Sequence, residues 1–206
     1  MKKIASISLA LLGLGLANPA GLYAPAPPPD AAFVRVVNAT PAAVRASARQ
    51  TVLAERLAFA AVTPYKVIKG GSYTLEVGGR TISVDLEAGR FYTVSLTPSG
   101  LWLNPDQTAS SLTKARISLY NLSGTPLSLK TADGQLTLMP RVTPGQYAML
   151  QVGAVKARLA VFAGNAKPLK LPETDLQANS AYSVMVFNQG GTLKAVWLQN
   201  TTETLK

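Results

Sequence analysis

Two stretches of this chain carry the same pattern. Residues 89–103, GRFYTVSLTPSGLWL, alternate Tyr92, Val94 and Leu96 with Phe91, Thr93 and Ser95. A period of two belongs to a β-strand with two unlike faces and cannot serve a helix. Pro98, Ser99 and Gly100 form a turn, and Leu101, Trp102 and Leu103 begin the return strand. Residues 179–198, NSAYSVMVFNQGGTLKAVWL, repeat this pattern. There Tyr182, Val184 and Val186 alternate with Ser183, Met185 and Phe187, and Gly190-Gly191 makes the turn. Two closing hairpins predict two modules, each small enough for only a two-layer core. The expected fold class is all-β: two tandem small antiparallel β-sandwiches of Ig-like or Greek-key type.

In chain order, residues 1–20 read as a cleavable signal peptide. Lys2 and Lys3 precede an apolar run over residues 4–16 that is too short and too glycine-broken for a stable membrane span. Cleavage is expected near 17–20, which predicts an exported, periplasmic protein with no transmembrane span in its mature form. Residues 21–30, GLYAPAPPPD, are a proline-rich leader that cannot enter a sheet interior. The first module is expected over residues 31–103 and the second over 114–199. The polar stretch 104–113, NPDQTASSLT, is the linker, and 200–206 is a polar, fraying tail. FVRVVN (33–38) and RISLYN (116–121) share a basic residue, alternating apolar positions and a final asparagine. Gly78-Gly79-Arg80 and Asp133-Gly134 are hairpin signals. The alanine-rich stretch 42–61 leaves a helical turn near 54–60 open. Glycine shortly before a tyrosine-bearing strand suggests tyrosine corners, with Tyr92 and Tyr182 as structural ties.

Composition narrows the chemistry. The 206 residues include no histidine and no cysteine. Disulfides, thiol nucleophiles and a Ser–His–Asp triad are therefore excluded, along with the usual neutral-pH base and the usual transition-metal ligand. No GxSxG motif occurs, and the ten carboxylates are scattered, mostly at turns. No catalytic residue, metal site or cofactor is expected. LPET at 171–174 has Asp175 where a sortase motif needs glycine, and the sequons at Asn38, Asn121 and Asn200 read as asparagines in turns. The formal charge is +10, and removal of Lys2 and Lys3 leaves eighteen basic against ten acidic residues. That balance suits either simple solubility or an anionic partner. Export and the lack of an aromatic–basic RNA-binding motif argue against nucleic acid. Exposed aromatics can stack on sugars, and nearby cations can pair with uronate carboxylates. The candidates for polymer or partner contact are Arg35, Arg90, Trp102, Arg116, Lys130, Arg141, Arg158 and Trp197, with Arg80 and Lys194 beside them. The competing reading puts both tryptophans in the cores.

The chain also resembles the AlgF family of periplasmic alginate O-acetylation proteins. The resemblance is carried by Leu22-Tyr23-Ala24-Pro25, by Phe33-Val34-Arg35-Val36-Val37-Asn38-Ala39 and above all by RISLYNLSGTPLSLKTADG at 116–134. Pro144 onward and Val196-Trp197 fit as well. This resemblance implies two tandem β-sandwiches in the periplasm, working beside periplasmic and membrane-associated O-acetyltransferase proteins that acetylate mannuronate in exported alginate. It implies an accessory, non-catalytic adaptor that bridges those enzymes. Two alternatives stay open: a carbohydrate-binding module for a polyuronate, and an acetyl-transferring subunit that uses serine or threonine.

Overall fold

The computed structural model describes residues 26–106, 111–164 and 166–203. The expected signal peptide, half of the proline-rich leader, part of the expected linker, residue 165 and the last three residues lie outside the described residues. Those described form strands and no helix. No helix among them is long and apolar enough to cross a membrane.

The first module contains β1 (Ala31–Asn38), β2 (Val44–Ala48), β3 (Thr51–Leu57), β4 (Lys66–Lys69), β5 (Gly71–Val77), β6 (Arg80–Leu86), β7 (Phe91–Thr97) and β8 (Gly100–Asp106). One sheet has the order β4-β1-β7-β8 and the other β3-β2-β5-β6. The second module contains β9 (Lys114–Leu122), β10 (Leu127–Thr131), β11 (Thr137–Val142), β12 (Tyr147–Gly153), β13 (Lys156–Ala157), β14 (Leu159–Phe162), β15 (Leu169–Lys170), β16 (Thr174–Asp175), β17 (Ala181–Gln189) and β18 (Thr192–Gln199). Its sheets run β12-β9-β17-β18 and β11-β10-β14-β15, with a small β13-β16 pair. The two modules are the expected sandwiches, with one refinement. The central pairs β1/β7 and β9/β17 are parallel. A parallel pair needs a long crossover, and here the chain crosses through the opposite sheet before returning.

Each sandwich has its own core. Val34, Val36, Leu53, Leu75, Val77 and Val94 centre the first; Ile117, Leu119, Leu127, Leu129, Val161 and Val184 centre the second. Both glycine pairs sit where hairpin geometry demands positive φ. Gly78 and Gly79 (58° and 77°) turn β5 into β6, and Gly190 and Gly191 (58° and 86°) turn β17 into β18. The tyrosine corners are paired devices too. The Glu87 N–H donates to the Tyr92 hydroxyl at 2.9 Å, and the Gln177 N–H donates to the Tyr182 hydroxyl at 3.1 Å.

The sequons mark a third shared device. Asn38 and Asn121 are both fully buried at the ends of β1 and β9. The Asn38 amide donates to the carbonyls of Ala42 (2.7 Å) and Leu57 (2.9 Å), while its oxygen accepts from the Thr40 N–H and hydroxyl. The Asn121 amide donates to the carbonyls of Thr125 and Val142, both at 2.8 Å, while its oxygen accepts from the Ser123 N–H and hydroxyl. The Asn-x-Ser/Thr spacing is thus the signature of an Asx turn that ties two strands.

Three expectations need correction. Residues 54–57 continue β3, so no helical turn forms there. β8 runs on to Asp106, three residues into the expected linker, because residues 104–106 pair with 91–93 of β7. The start of the tail is docked rather than frayed. Tyr65 exchanges backbone bonds with Thr201 and Glu203, and Glu203 pairs with Lys66.

The largest departure concerns the inner sheets. β1 is buried at every residue, and β7, β9 and β17 are buried along most of their length on both faces. The face that alternation alone would give to solvent packs against the other module instead. Val37, Ala39, Tyr120, Leu122, Met185 and Phe187 form a third apolar cluster between the two sandwiches. The molecule is therefore four sheets deep, with the two inner sheets back to back.

Candidate functional site

The seam between the inner sheets also holds the main buried charge of the described residues. β1 carries Arg35 onto the seam face, where it is 1% exposed. Its Nε donates to Thr93 Oγ1 on β7 at 2.9 Å. Its two terminal nitrogens donate to Asn200 Oδ1 (2.9 Å) and to Ser183 Oγ on β17 (3.0 Å). The guanidinium plane lies between the rings of Tyr65 and Tyr120, 4.6 and 5.3 Å from their centroids. A desolvated cation between two aromatic faces gains about 2 kcal/mol or more from the ring quadrupoles.

Asp106, at the end of β8, is the matching anion. Its Oδ2 accepts from the Tyr65 hydroxyl and from Thr93 Oγ1, both at 2.6 Å, and its Oδ1 accepts from the Tyr120 hydroxyl at 2.5 Å. The two charges thus communicate through the Thr93 hydroxyl, which accepts from the arginine and donates to the carboxylate. Hydroxyls from both modules converge on one carboxylate, and acceptors from both converge on one guanidinium. Burial pushes the Tyr65 and Tyr120 hydroxyls far above the ordinary tyrosine range. The neighbouring Asp106 charge adds to this rise and Arg35 opposes it. Both stay neutral donors at any physiological pH. Tyr147, half exposed, stacks on Tyr120 and donates to the Pro105 carbonyl across the seam, and its hydroxyl too is raised, chiefly by burial.

A cleft opens at each end of the seam. One, about 340 Å³, is lined by Tyr65, Asp106, Arg116, Tyr120, Asn179 and Asn200. The other, about 400 Å³, lies at the far ends of the same strands and is lined by Thr97, Pro98, Trp102, Leu122 and Pro144. Ser95 Oγ, buried in the seam, is the one fully enclosed side-chain polar atom without a partner among the described residues. No group of three metal-ligating residues occurs among them.

The predicted contact residues scatter. Arg35 is entombed and cannot meet a polymer, so its proposed surface role is withdrawn: a lone arginine on a doubly buried strand must be satisfied internally. Arg90 is exposed and pairs with Glu87. Arg158 is exposed and pairs with Glu173, which also binds Lys156. These two cations hold the Glu173 carboxyl below its usual range. Lys130 lies over the Phe162 ring, and Lys194 over Phe59. Arg80 donates to the carbonyls of Thr97 and Pro98. Arg141 is exposed, and Arg116 lines the first cleft. The tryptophans differ. Trp197 is half-buried and stacks on Tyr182, whereas Trp102 is 43% exposed and donates only its indole N–H to Thr97. The reading that put both tryptophans in cores therefore fails for Trp102.

Asp106, Tyr65, Tyr120, Ser183 and Asn200 were not among the sequence candidates. One signal pointed to them: an arginine inside the apolar run FVRVVN needs a buried anion, and Asp106 stands at the end of the first module's last strand.

The fold and this seam define a class: a duplicated β-sandwich protein joined through a buried polar seam. The comparisons with known proteins give the family. A family model described as "Alginate O-acetyl transferase AlgF" matches residues 5–195, and the chain belongs to that family. The alginate biosynthesis protein AlgF of Pseudomonas putida is 31% identical over 195 residues, covering 94% of this chain and 90% of that protein. That of Pseudomonas aeruginosa is 32% identical over 184 residues, covering 89% and 85%. A solved structure of the C-terminal domain of the P. aeruginosa protein is 34% identical and covers 43% of this chain and 99% of that domain, with a TM-score of 0.40.

Proposed function

We propose that this chain is an exported, non-catalytic adaptor in alginate O-acetylation that bridges the O-acetyltransferases acting on the mannuronate polymer. The observation that carries this reading is how the buried polar cluster of the seam is occupied. Arg35, Asp106, Thr93, Tyr65, Tyr120 and Ser183 direct their polar atoms at one another across the seam. A catalytic cluster keeps a group free to act on substrate, whereas this one joins two modules. The chain also lacks histidine and cysteine altogether. Family membership and the relatives' names support the pathway, and the signal-like start of the sequence supports export.

The test combines two measurements on the mature protein. It should capture an alginate O-acetyltransferase in a pull-down and should release no acetate from an acetyl donor by itself. Turnover of the donor by the isolated protein would overturn the reading. Exposure of Trp102 favours a second reading, contact with the polyuronate itself. Salt-sensitive binding of alginate oligomers that is lost in Trp102→Ala would support it, and no binding at low salt would remove it.

A further inference from the structure

Every sheet has two edges, and an uncovered edge is a row of backbone donors and acceptors able to take another strand. Most edges of this protein are blunted. β4 carries Lys66 and Lys69 and is flanked by the docked tail; β3 carries Glu55 and Arg56 and is interrupted by register shifts. β6 carries Arg80 and Asp85, β8 carries Pro105 and β18 carries Lys194. β11 carries Pro140 and Arg141 with register shifts, and β15 is two residues long.

β12 has none of these devices. Its seven residues, YAMLQVG, include no charge and no proline. They pair with β9 from Tyr147↔Tyr120 to Gly153↔Lys114 without a break. The outer side of β12 has no backbone partner among the described residues. Ala148, Leu150 and Val152 face the core, whereas Gln151 and Gly153 are exposed and Met149 is half-exposed.

Charge selects the occupant. No acidic residue occurs between Asp133 and Glu173. Arg141 leads into the start of β12, Arg116 lies beside Gln151, and Lys114 lies beside Gly153. Lys114 and Arg141 are exposed and form no ion pair among the described residues. A second copy of this chain, pairing β12 with β12 about a two-fold axis, would bring Arg141 of each copy toward Lys114 of the other. Like charges at both ends oppose that pairing. We infer that β12 is a docking edge for an extended segment of a different protein, uncharged along the strand and acidic at its flanks. The inference deepens the adaptor reading and rests on it for its biological context, since it names the edge through which the adaptor would hold a partner.

The test uses the full mature chain and two synthetic peptides, monitored by backbone amide NMR and sedimentation. Both peptides alternate threonine and valine; one ends in paired aspartates, the other in paired lysines. The acidic peptide should bind at least about tenfold more tightly at low salt, with shift changes concentrated at residues 147–153. The double charge reversal Lys114→Glu with Arg141→Glu, made at exposed positions, should abolish that preference while leaving the melting temperature within a few degrees. Shifts centred on β8 or β18, equal binding of the two peptides, no binding, or dimerisation of the chain through β12 would each overturn the inference. Failure here together with successful capture of an acetyltransferase would remove the β12 edge and leave the adaptor reading standing.

Discussion

The two modules share what folds a module and differ in what joins them. Each has an asparagine that closes an Asx turn at the end of its first strand, and a tyrosine corner. Aligning Asn38 with Asn121 sets Arg35 opposite Ser118 and Thr93 opposite Ser183, since both pairs are cross-strand partners in the two parallel central ladders. At the seam the symmetry ends. The first module contributes the cation and the anion; the second contributes Tyr120, Ser183 and Asn200 to receive them. The repeated residues satisfy local backbone groups, so each module needs its own set. The seam is one surface, and one arginine and one aspartate supply both modules.

The seam difference predicts the largest effect. Arg35→Ala leaves Asp106 buried without its cation and should lower stability by about 3–5 kcal/mol in urea denaturation. Ser118→Ala, at the equivalent position, should cost under about 1 kcal/mol. Similar losses would mean that the seam is not anchored by charge.

The shared devices should respond alike. Asn38→Ala and Asn121→Ala each strand two carbonyls and a turn, and each should cost about 2–3 kcal/mol. A difference well beyond about 1 kcal/mol would show that the Asx turns are alike in geometry but not in energy.

A titration isolates the seam from both modules. Tyr65 and Tyr120 have raised folded-state values because burial and Asp106 disfavour the phenolate. Their contribution is complete below the unfolded tyrosine value near 10. Above it the unfolded state releases protons that the folded state keeps. Stability should then fall by about 1.4 kcal/mol per pH unit for each of these tyrosines. Tyr120→Phe should flatten the slope measured between about pH 10 and 11.

A smaller effect than that of the Asx turns belongs to the corners. Tyr92→Phe removes the bond from the Glu87 N–H, and Tyr182→Phe those with the Gln177 N–H and the Asp175 carbonyl; each should cost about 1 kcal/mol, read as a shift in melting temperature of a few degrees.

How much the sequence disclosed follows from the range of each interaction. Hairpins, corners and the duplication were legible because a turn needs particular residues at fixed local spacing. Alternation in FYTVSLT correctly separates Tyr92, Val94 and Leu96 from Thr93 and Ser95, but it does not say what the second face meets. Small hydroxyl side chains suit water, and they suit a buried polar seam equally well. Asp106 falls in the expected linker because NPDQTASSLT has few apolar residues, although its chemistry is fixed by an arginine 71 positions earlier. The Asn-x-Ser/Thr triplets were visible throughout; their role emerged only when the carbonyls of Leu57 and Val142 came within reach of Asn38 and Asn121.

The central claim is that the seam makes two modules one body. Calorimetric unfolding of the mature chain at neutral pH tests it most directly. One cooperative transition is expected in the wild type, resolving into two in Arg35→Ala as each sandwich unfolds around its own core. Two separate transitions in the wild-type protein, unchanged by Arg35→Ala, would contradict it.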